Sequence, residues 1–181
     1  VIVNAAGEDV TAKLNITYNN GTIKIIPKAA TVTTDSAEKV YDGTPLTAPG
    51  RIEGLVEGEN VTLTMTGNQT VKGESANNYE LTWDQNAVSG NYTITESVGT
   101  LKVTEQRLDP KDPESYRNVQ IDDPENKTYN GAEQKWAPIV TDAKDNVLVE
   151  GTDYTVSYDK DDFTNVTGAI KATITGIGNY K

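Results

Sequence analysis

Cysteine and histidine are both absent from this chain. Without cysteine there are no disulfides, no thiolate nucleophile and no sulfur-ligated metal. Without histidine there is no Ser-His-Asp triad, no Cys-His pair and no imidazole-bound zinc. Large apolar side chains are scarce too. There are one Phe, one Met and two Trp, and hydrophobic residues make up 35%, against about 45–50% (a figure that includes Gly) in ordinary domains. Any core is therefore thin and divided. No run of about 18 apolar residues exists, so no helix is expected to enter a membrane. Positive charge is short as well: 16 Lys and Arg face 27 Asp and Glu, a net charge of −11. Such a surface repels phosphate backbones and argues against nucleic acid as a partner.

Threonine is abundant, with 25 among 181 residues. Thr, Val, Ile and Tyr suit strands because branched and aromatic side chains pack on a pleated surface. The pattern agrees. "VTLTMT" puts Val61, Leu63 and Met65 on one face and Thr62, Thr64 and Thr66 on the other. "YELTW" does the same with Tyr79, Leu81 and Trp83, and "YTVSY" with Tyr154, Val156 and Tyr158. Period-two alternation marks sheets with one wet face. Helical periodicity is absent.

The chain also repeats. "KVYDG" at 39–43 returns as "KTYNG" at 127–131, and "GNY" at 90–92 returns at 178–180. Tyr41 to Gly90 and Tyr129 to Gly178 are both 49 positions. "VEG" occurs at 56–58 and 149–151, displaced by five residues, as a loop of variable length would be. A third partial copy stands in front: "KLNITYNNGTIKIIP" (13–27) aligns with "NYTITESVGTLKVTE" (91–105) at an offset of 78. The organisation expected is four-part. Residues 1–28 are the C-terminal strands of a preceding repeat, with 1–27 read as a closing hairpin, 29–106 a complete β repeat, 107–118 a linker with two Asp-Pro pairs, and 119–181 a second repeat lacking its last strands, that is, its closing hairpin. The opening "VIVNAAGEDVTAKL" lacks the basic and long apolar parts of a signal peptide and reads as the interior of a longer chain.

"KVYDGTPLT", "GLVEGENVTLT" and "GNYTI…GTLKV" resemble the YDG and MBG-type tandem repeats of bacterial, Gram-positive cell-surface proteins. The last unit, "EGTDYTVSYDKDDFTNVTGAIKATITGIGNY", is similar to a sister repeat of large cell-wall-anchored proteins, with Asn130 in place of Asp42. The resemblance implies an extracellular, adhesin-like stalk of tandem β-domains and brings no catalytic residue.

Glu57 with Glu59, Asp122 with Asp123 and Asp161 with Asp162 are paired acids in turn-like contexts, where solvated carboxylates are the default. "YDKDDFTN" gathers Asp159, Asp161, Asp162 and Asn165, as a calcium loop would, but lacks the EF-hand spacing and its closing Glu. Lys39 with Asn91, recurring as Lys127 and Asn179, is the pair to inspect for an isopeptide bond. Trp83 and Trp136 are the rings that could stack on sugars. Seven Asn-x-Thr sequons, at Asn15, Asn20, Asn60, Asn68, Asn91, Asn126 and Asn165, follow from an Asn- and Thr-rich composition. Asp42-Gly43 fits a two-residue hairpin turn, with Pro45 starting an irregular or edge continuation.

The sequence thus reads as all-β, with tandem small sandwich-like (Ig-like) domains. β-grasp-like sheets are the alternative if a helix lies in 29–40 or 107–120. No catalytic, metal or cofactor residues are assigned. The function expected is a non-enzymatic stalk or adhesin segment, with carbohydrate or glycoprotein binding as the alternative. The expected partners are neighbouring repeats, a host or environmental glycan or glycoprotein, and a neighbouring molecule strand-paired through residues 1–27.

Overall fold

A computed structural model describes residues 1–15, 17, 21–108, 120–142 and 144–181. The chain is all-β, and its only helical turns among these residues are the 3-10 segments Thr11–Lys13 and Ser89–Asn91. The first unit contains β1 (Lys28–Thr34), β2 (Ala37–Val40), β3 (Gly50–Glu53), β4 (Val61–Met65), β5 (Gly73–Ala76), β6 (Tyr79–Trp83), β7 (Tyr92–Ser97) and β8 (Thr100–Thr104). The second contains β9 (Gln120–Ile121), β10 (Val140–Thr141), β11 (Tyr154–Tyr158) and β12 (Ala172–Gly176). Residues 28–34 and 37–40 are strand, so the first of the two places where a β-grasp helix could lie holds none; most of the second, 107–120, lies outside the described residues.

The first unit is organised by its two ends. β1 runs parallel to β7 from Lys28↔Tyr92 to Thr33↔Ser97. β2 runs parallel to β8 from Ala37↔Leu101 to Val40↔Thr104. The partner lies 64 residues ahead in both ladders, so the register is carried unbroken across the gap between them. Side chains stitch that gap: Gly99 N donates to Thr34 Oγ1 and Thr100 N to Ser36 Oγ, both at 2.9 Å. At the same place the sheet changes neighbours. β1 is central in the order β3-β1-β7, whereas β8 is central in β2-β8-β5. Each central strand buries one face: Ala30 (2% exposed) and Val32 (0%) on β1, and Leu101 (0%) and Val103 (2%) on β8, while Ala29 and Thr31 on β1 stay exposed.

This arrangement corrects one expectation. "NYTITESVGTLKV" and its N-terminal counterpart read as a closing hairpin, but β7 and β8 are successive parts of one kinked strand. Each pairs in parallel with part of the first strand. Alternation alone does not distinguish a strand that turns back from one that runs on.

Elsewhere the expected faces are found. β4 and β6 form an antiparallel pair, Val61↔Trp83 to Met65↔Tyr79, with Val61, Leu63, Met65, Tyr79, Leu81 and Trp83 half-buried and the alternate residues exposed. β11 and β12 repeat it, Tyr154↔Gly176 to Tyr158↔Ala172. The second core gathers Leu108, Val140, Leu148, Tyr154 and Tyr180. Leu108 falls in the expected linker but is only 6% exposed within this core. The rest of that stretch, 109–118, lies outside the described residues, as does Asn20.

Gly99 is the tightest point of the first unit. A Cβ there would stand 2.4 Å from both the carbonyl carbon and the oxygen of Asp35, which are backbone atoms that cannot swing aside. Gly21, in the matching N-terminal "GTIKI", has nothing within 4 Å. Gly99→Ala is therefore expected to lower stability by about 1–3 kcal/mol, the usual cost of overpacking. Gly21→Ala at the same dilute concentration should leave the urea midpoint unchanged.

Candidate functional site

The two units meet without a spacer. β8 ends at Thr104, and Gln106 already pairs in parallel with Tyr180 of the second unit. Gln106 N donates to Asn179 O (2.9 Å), Lys181 N to Gln106 O (2.9 Å) and Leu108 N to Lys181 O (2.8 Å). The ladder Lys28↔Tyr92 opens the first unit, and Gln106↔Tyr180 opens the second in the same way, 78 residues on from Lys28. One strand therefore closes one unit and begins the next.

Side chains converge on this joint. The Tyr41 ring meets Tyr180 edge-on, with centroids 5.5 Å apart and planes at 82°. Tyr180 is 6% exposed, and its hydroxyl reaches Asp142 Oδ2 at 3.4 Å. Burial and then the Asp142 charge push the Tyr180 phenol up, so it stays protonated and donating. Burial also raises the Asp142 carboxyl, but hydrogen bonds from Asn146 and from the backbone of Lys144 outweigh it, and the net shift is downward. Glu105 gives each of its oxygens to a different lysine: Oε1 to Lys181 (2.9 Å) and Oε2 to Lys72 (3.1 Å). Lys72 N in turn donates to Asn179 Oδ1 at 2.8 Å. The lysines are about half exposed, so water screens each ion pair and its net contribution is small. The aromatic pair adds about 0.5–1.5 kcal/mol beyond its burial. The backbone ladder and the buried Leu108 and Tyr180 therefore hold the joint, and the charges orient it.

The Tyr-Asp-Gly turn sits against the joint. Thr44 N donates to Asp42 Oδ1, and in the second unit Ala132 N donates to Asn130 Oδ1, both at 2.9 Å. Gly43 and Gly131 have φ of +76° and +79°. Aspartate and asparagine thus make the same side-chain-closed turn, with glycine in the left-handed position. It is not the expected two-residue hairpin turn, which needs positive φ at both residues; Asp42 is not positive. β2, which leads into the turn, pairs instead with β8. Pro45 is followed by a single bridge, Leu46↔Gln69, in keeping with an irregular continuation. The turn of the first unit has additional partners, on its carboxylate and on its backbone carbonyls. Lys39 Nζ donates to Asp42 Oδ1 (2.7 Å) and Thr44 O (2.6 Å), and Lys144 Nζ of the second unit donates to Asp42 O. Lys39 first, then Thr44, holds the Asp42 carboxyl well below the usual carboxylate range.

Residues 30–102 match the family model of the MBG domain (YGX type). This unit is an MBG domain. The family is typical of surface proteins and suggests a repeat module of one. No curated protein and no solved structure matches the chain. Among the described residues no helix is long and apolar enough to cross a membrane.

The structure scatters most of the residues considered for chemistry. Lys39 is held by the turn, while Asn91 lies exposed at the end of a 3-10 segment. Asn179 takes Lys72 N, and Lys127 Nζ lies 3.8 Å from Glu125. Within the acidic loop, Asp162 accepts from Thr164 N, Asn165 N and Asn165 Nδ2, and Asp159 from Lys171 N. These carboxylates brace the loop, and no group of three or more acids that could hold a metal occurs among the described residues. Glu59 accepts from the Tyr92 hydroxyl, and Asp122 from Trp136 Nε1. In the MBG domain Trp83 packs on Tyr92 at 5.4 Å. Trp136 instead lines a groove of about 1090 Å³ in the second unit. Tyr41, Tyr92 and Tyr180 pack as the repeat suggests, but Tyr129 is 60% exposed, with no ring against it among the described residues.

Glu105, Lys72 and Asp142 were not singled out from the sequence. The recurrent Gly-Asn-Tyr marks Tyr180, and the 78-residue offset marks Gln106; nothing local marks the acids. Lys181, then its own backbone and Lys72, lower the Glu105 carboxyl to about 2. A depressed folded pKa contributes stability that is present above the unfolded value and lost as pH falls through the folded one. The joint should therefore hold fully above about pH 4.5 and weaken between there and about pH 2. A carboxyl NMR titration should place Glu105 near 2 and return it toward 4.5 in Lys181→Ala.

Proposed function

We propose that this chain is a non-enzymatic, extracellular repeat segment of a bacterial cell-surface protein, serving as stalk or adhesin spacer. One observation carries the reading: the last strand of the MBG domain runs on into the first strand of the next unit, with a single residue, Glu105, between the ladders. A tandem array keeps its reach only if successive units do not fold back on one another. A joint made of one continuous strand, an aromatic contact and a doubly paired carboxylate restricts that motion. The net charge of −11 further discourages collapse and association with anionic surfaces. The turns, caps and ion pairs that occupy the carboxylates support a structural role over a catalytic one.

The test is a distance distribution. Spin labels at Thr62→Cys and Thr173→Cys, both exposed strand positions in a cysteine-free chain, should give one narrow peak. Tyr41→Ala combined with Glu105→Gln should broaden it. A wild-type distribution as wide as a flexible tether would sink the spacer reading. Antibodies against the chain should label intact producing cells.

The carbohydrate-binding alternative has Trp136 in its favour, because this half-buried ring faces the groove of the second unit beside Tyr158 and Phe163. A glycan array that returns a specific ligand, lost in Trp136→Ala, would favour it over a pure spacer.

A further inference from the structure

The second unit carries a loop that the first lacks. β3 ends at Glu53, three positions before the "VEG" stretch begins at Val56. β10 ends at Thr141, eight positions before its "VEG" begins at Val149. The five-residue displacement of "VEG" therefore falls directly after β10, and the loop closes on the bridge Thr141↔Val147. It is held from within. Asp142 N donates to Asn146 O and Asp145 N to Asp142 O, both at 3.0 Å. Asp142 Oδ1 accepts from Lys144 N (2.8 Å) and Asn146 N (3.0 Å). Asp145 has φ of +62°, the one positive φ outside glycine among the described residues. Such a conformation persists where its surroundings over-determine it.

This loop faces the Tyr-Asp-Gly turn of the first unit and reaches two consecutive residues there. Asp142 Oδ2 accepts from the Tyr180 hydroxyl, and the Tyr180 ring meets Tyr41. Lys144 Nζ lies 2.5 Å from Asp42 O and 3.8 Å from Asp42 Oδ2. The turn itself does not need that carboxylate, since Asn130 closes the same bend. The first unit answers its own tyrosine differently. The Tyr92 hydroxyl accepts from Val56 N and donates to Glu59, both within the unit. No lysine or arginine occurs between β3 and β4.

We propose that Lys144 is a docking residue that selects, as the unit in front, a repeat whose Tyr-x-Gly turn carries an acid at x. The loop after β10 brings the ammonium to the turn; the short connection after β3 has no equivalent. A unit of the second kind thus accepts an acidic turn, and a unit of the first kind does not read it. Complementary charge across a contact contributes selectivity more than affinity, and a like charge at this place disfavours the wrong neighbour. The proposal rests on the spacer reading, because it names what chooses the partner at the restrained joint.

The test uses the full chain with spin labels at Thr62→Cys and Thr173→Cys. Lys144→Met removes the charge and the carbonyl contact, and Lys144→Glu also sets a like charge against Asp42. The distance distribution should broaden in Lys144→Met and further in Lys144→Glu. The Gln106, Leu108 and Lys181 amides, which form the joint ladder, should lose hydrogen-exchange protection in the same order. Lys144→Arg should stay as narrow as the wild type. Asp42→Asn keeps the turn and should abolish the difference between Lys144→Met and Lys144→Glu. The Lys144 side chain is about half exposed, so the second unit should keep its own urea transition in every variant. A narrow distribution unchanged by Lys144→Glu would overturn the proposal and leave the spacer reading standing. Equal broadening by Lys144→Met and Lys144→Glu, or loss of the second unit's transition in Lys144→Met, would overturn it too. A wild-type distribution as wide as a flexible tether would sink both readings.

Discussion

The parallel ladder between the first and last strands of a unit is the constraint on which the rest depends. Lys28 through Val40 on one side and Tyr92 through Thr104 on the other keep one register across two sheets. Parallel strands cannot be joined by a tight turn, so the intervening chain must cross over. In this unit β3 to β6 make that crossover, and they fill the open sides as they go: β3 beside β1, β5 beside β8 and the β4–β6 pair apart. The apolar residues the chain can spare are concentrated along the ladder, in Ala30, Val32, Leu101 and Val103. A chain with one Phe, one Met and two Trp has little left for a broad core elsewhere.

The kink in that ladder is fixed by polar groups. Asn77 is fully buried; its Nδ2 donates to Asp35 O at 2.9 Å and Ala48 O at 3.1 Å, and its backbone N to Gly99 O at 2.9 Å. A buried donor without partners would cost about 1–3 kcal/mol; the Asn77 donors avoid this by reaching Asp35 O and Gly99 O at the kink and Ala48 O beside β3. Thr34 and Ser36 satisfy the amides on the other side. The same kink explains why Gly99 follows Val98: the backbones approach too closely for any Cβ.

The joint reuses this geometry. Gln106 takes the role of Lys28, and Tyr180 that of Tyr92, so the contact between units is built from the contact within a unit. The tyrosine of the Tyr-Asp-Gly turn then has a purpose the turn does not require. Gly43 and an Asx side chain suffice for the bend, as Asn130 and Gly131 show, while Tyr41 reaches over to the next unit's Tyr180. The turn marks where a unit begins and also supplies one face of the joint. Residues 30–102 are an MBG domain, and this joint ties that domain to its neighbour.

Strand alternation was legible residue by residue, because side-chain direction in a strand has a period of two whatever the partner. "VTLTMT", "YELTW" and "YTVSY" disclosed their buried faces in this way, and the spacing of Tyr41, Tyr92, Tyr129 and Tyr180 disclosed the repeat. The absence of cysteine and histidine fixed which catalytic chemistries the chain cannot perform. Pairing, however, is a relation between distant segments, and alternation carries no sign of direction. Only the tertiary structure decided that β7 and β8 are one parallel strand, that Leu108 belongs to a core rather than a spacer, and that Glu105 sits between Lys72 and Lys181. Each of these depends on which backbone lies alongside, a choice made by packing and hydrogen bonding between distant segments, 64 positions apart in the parallel ladders.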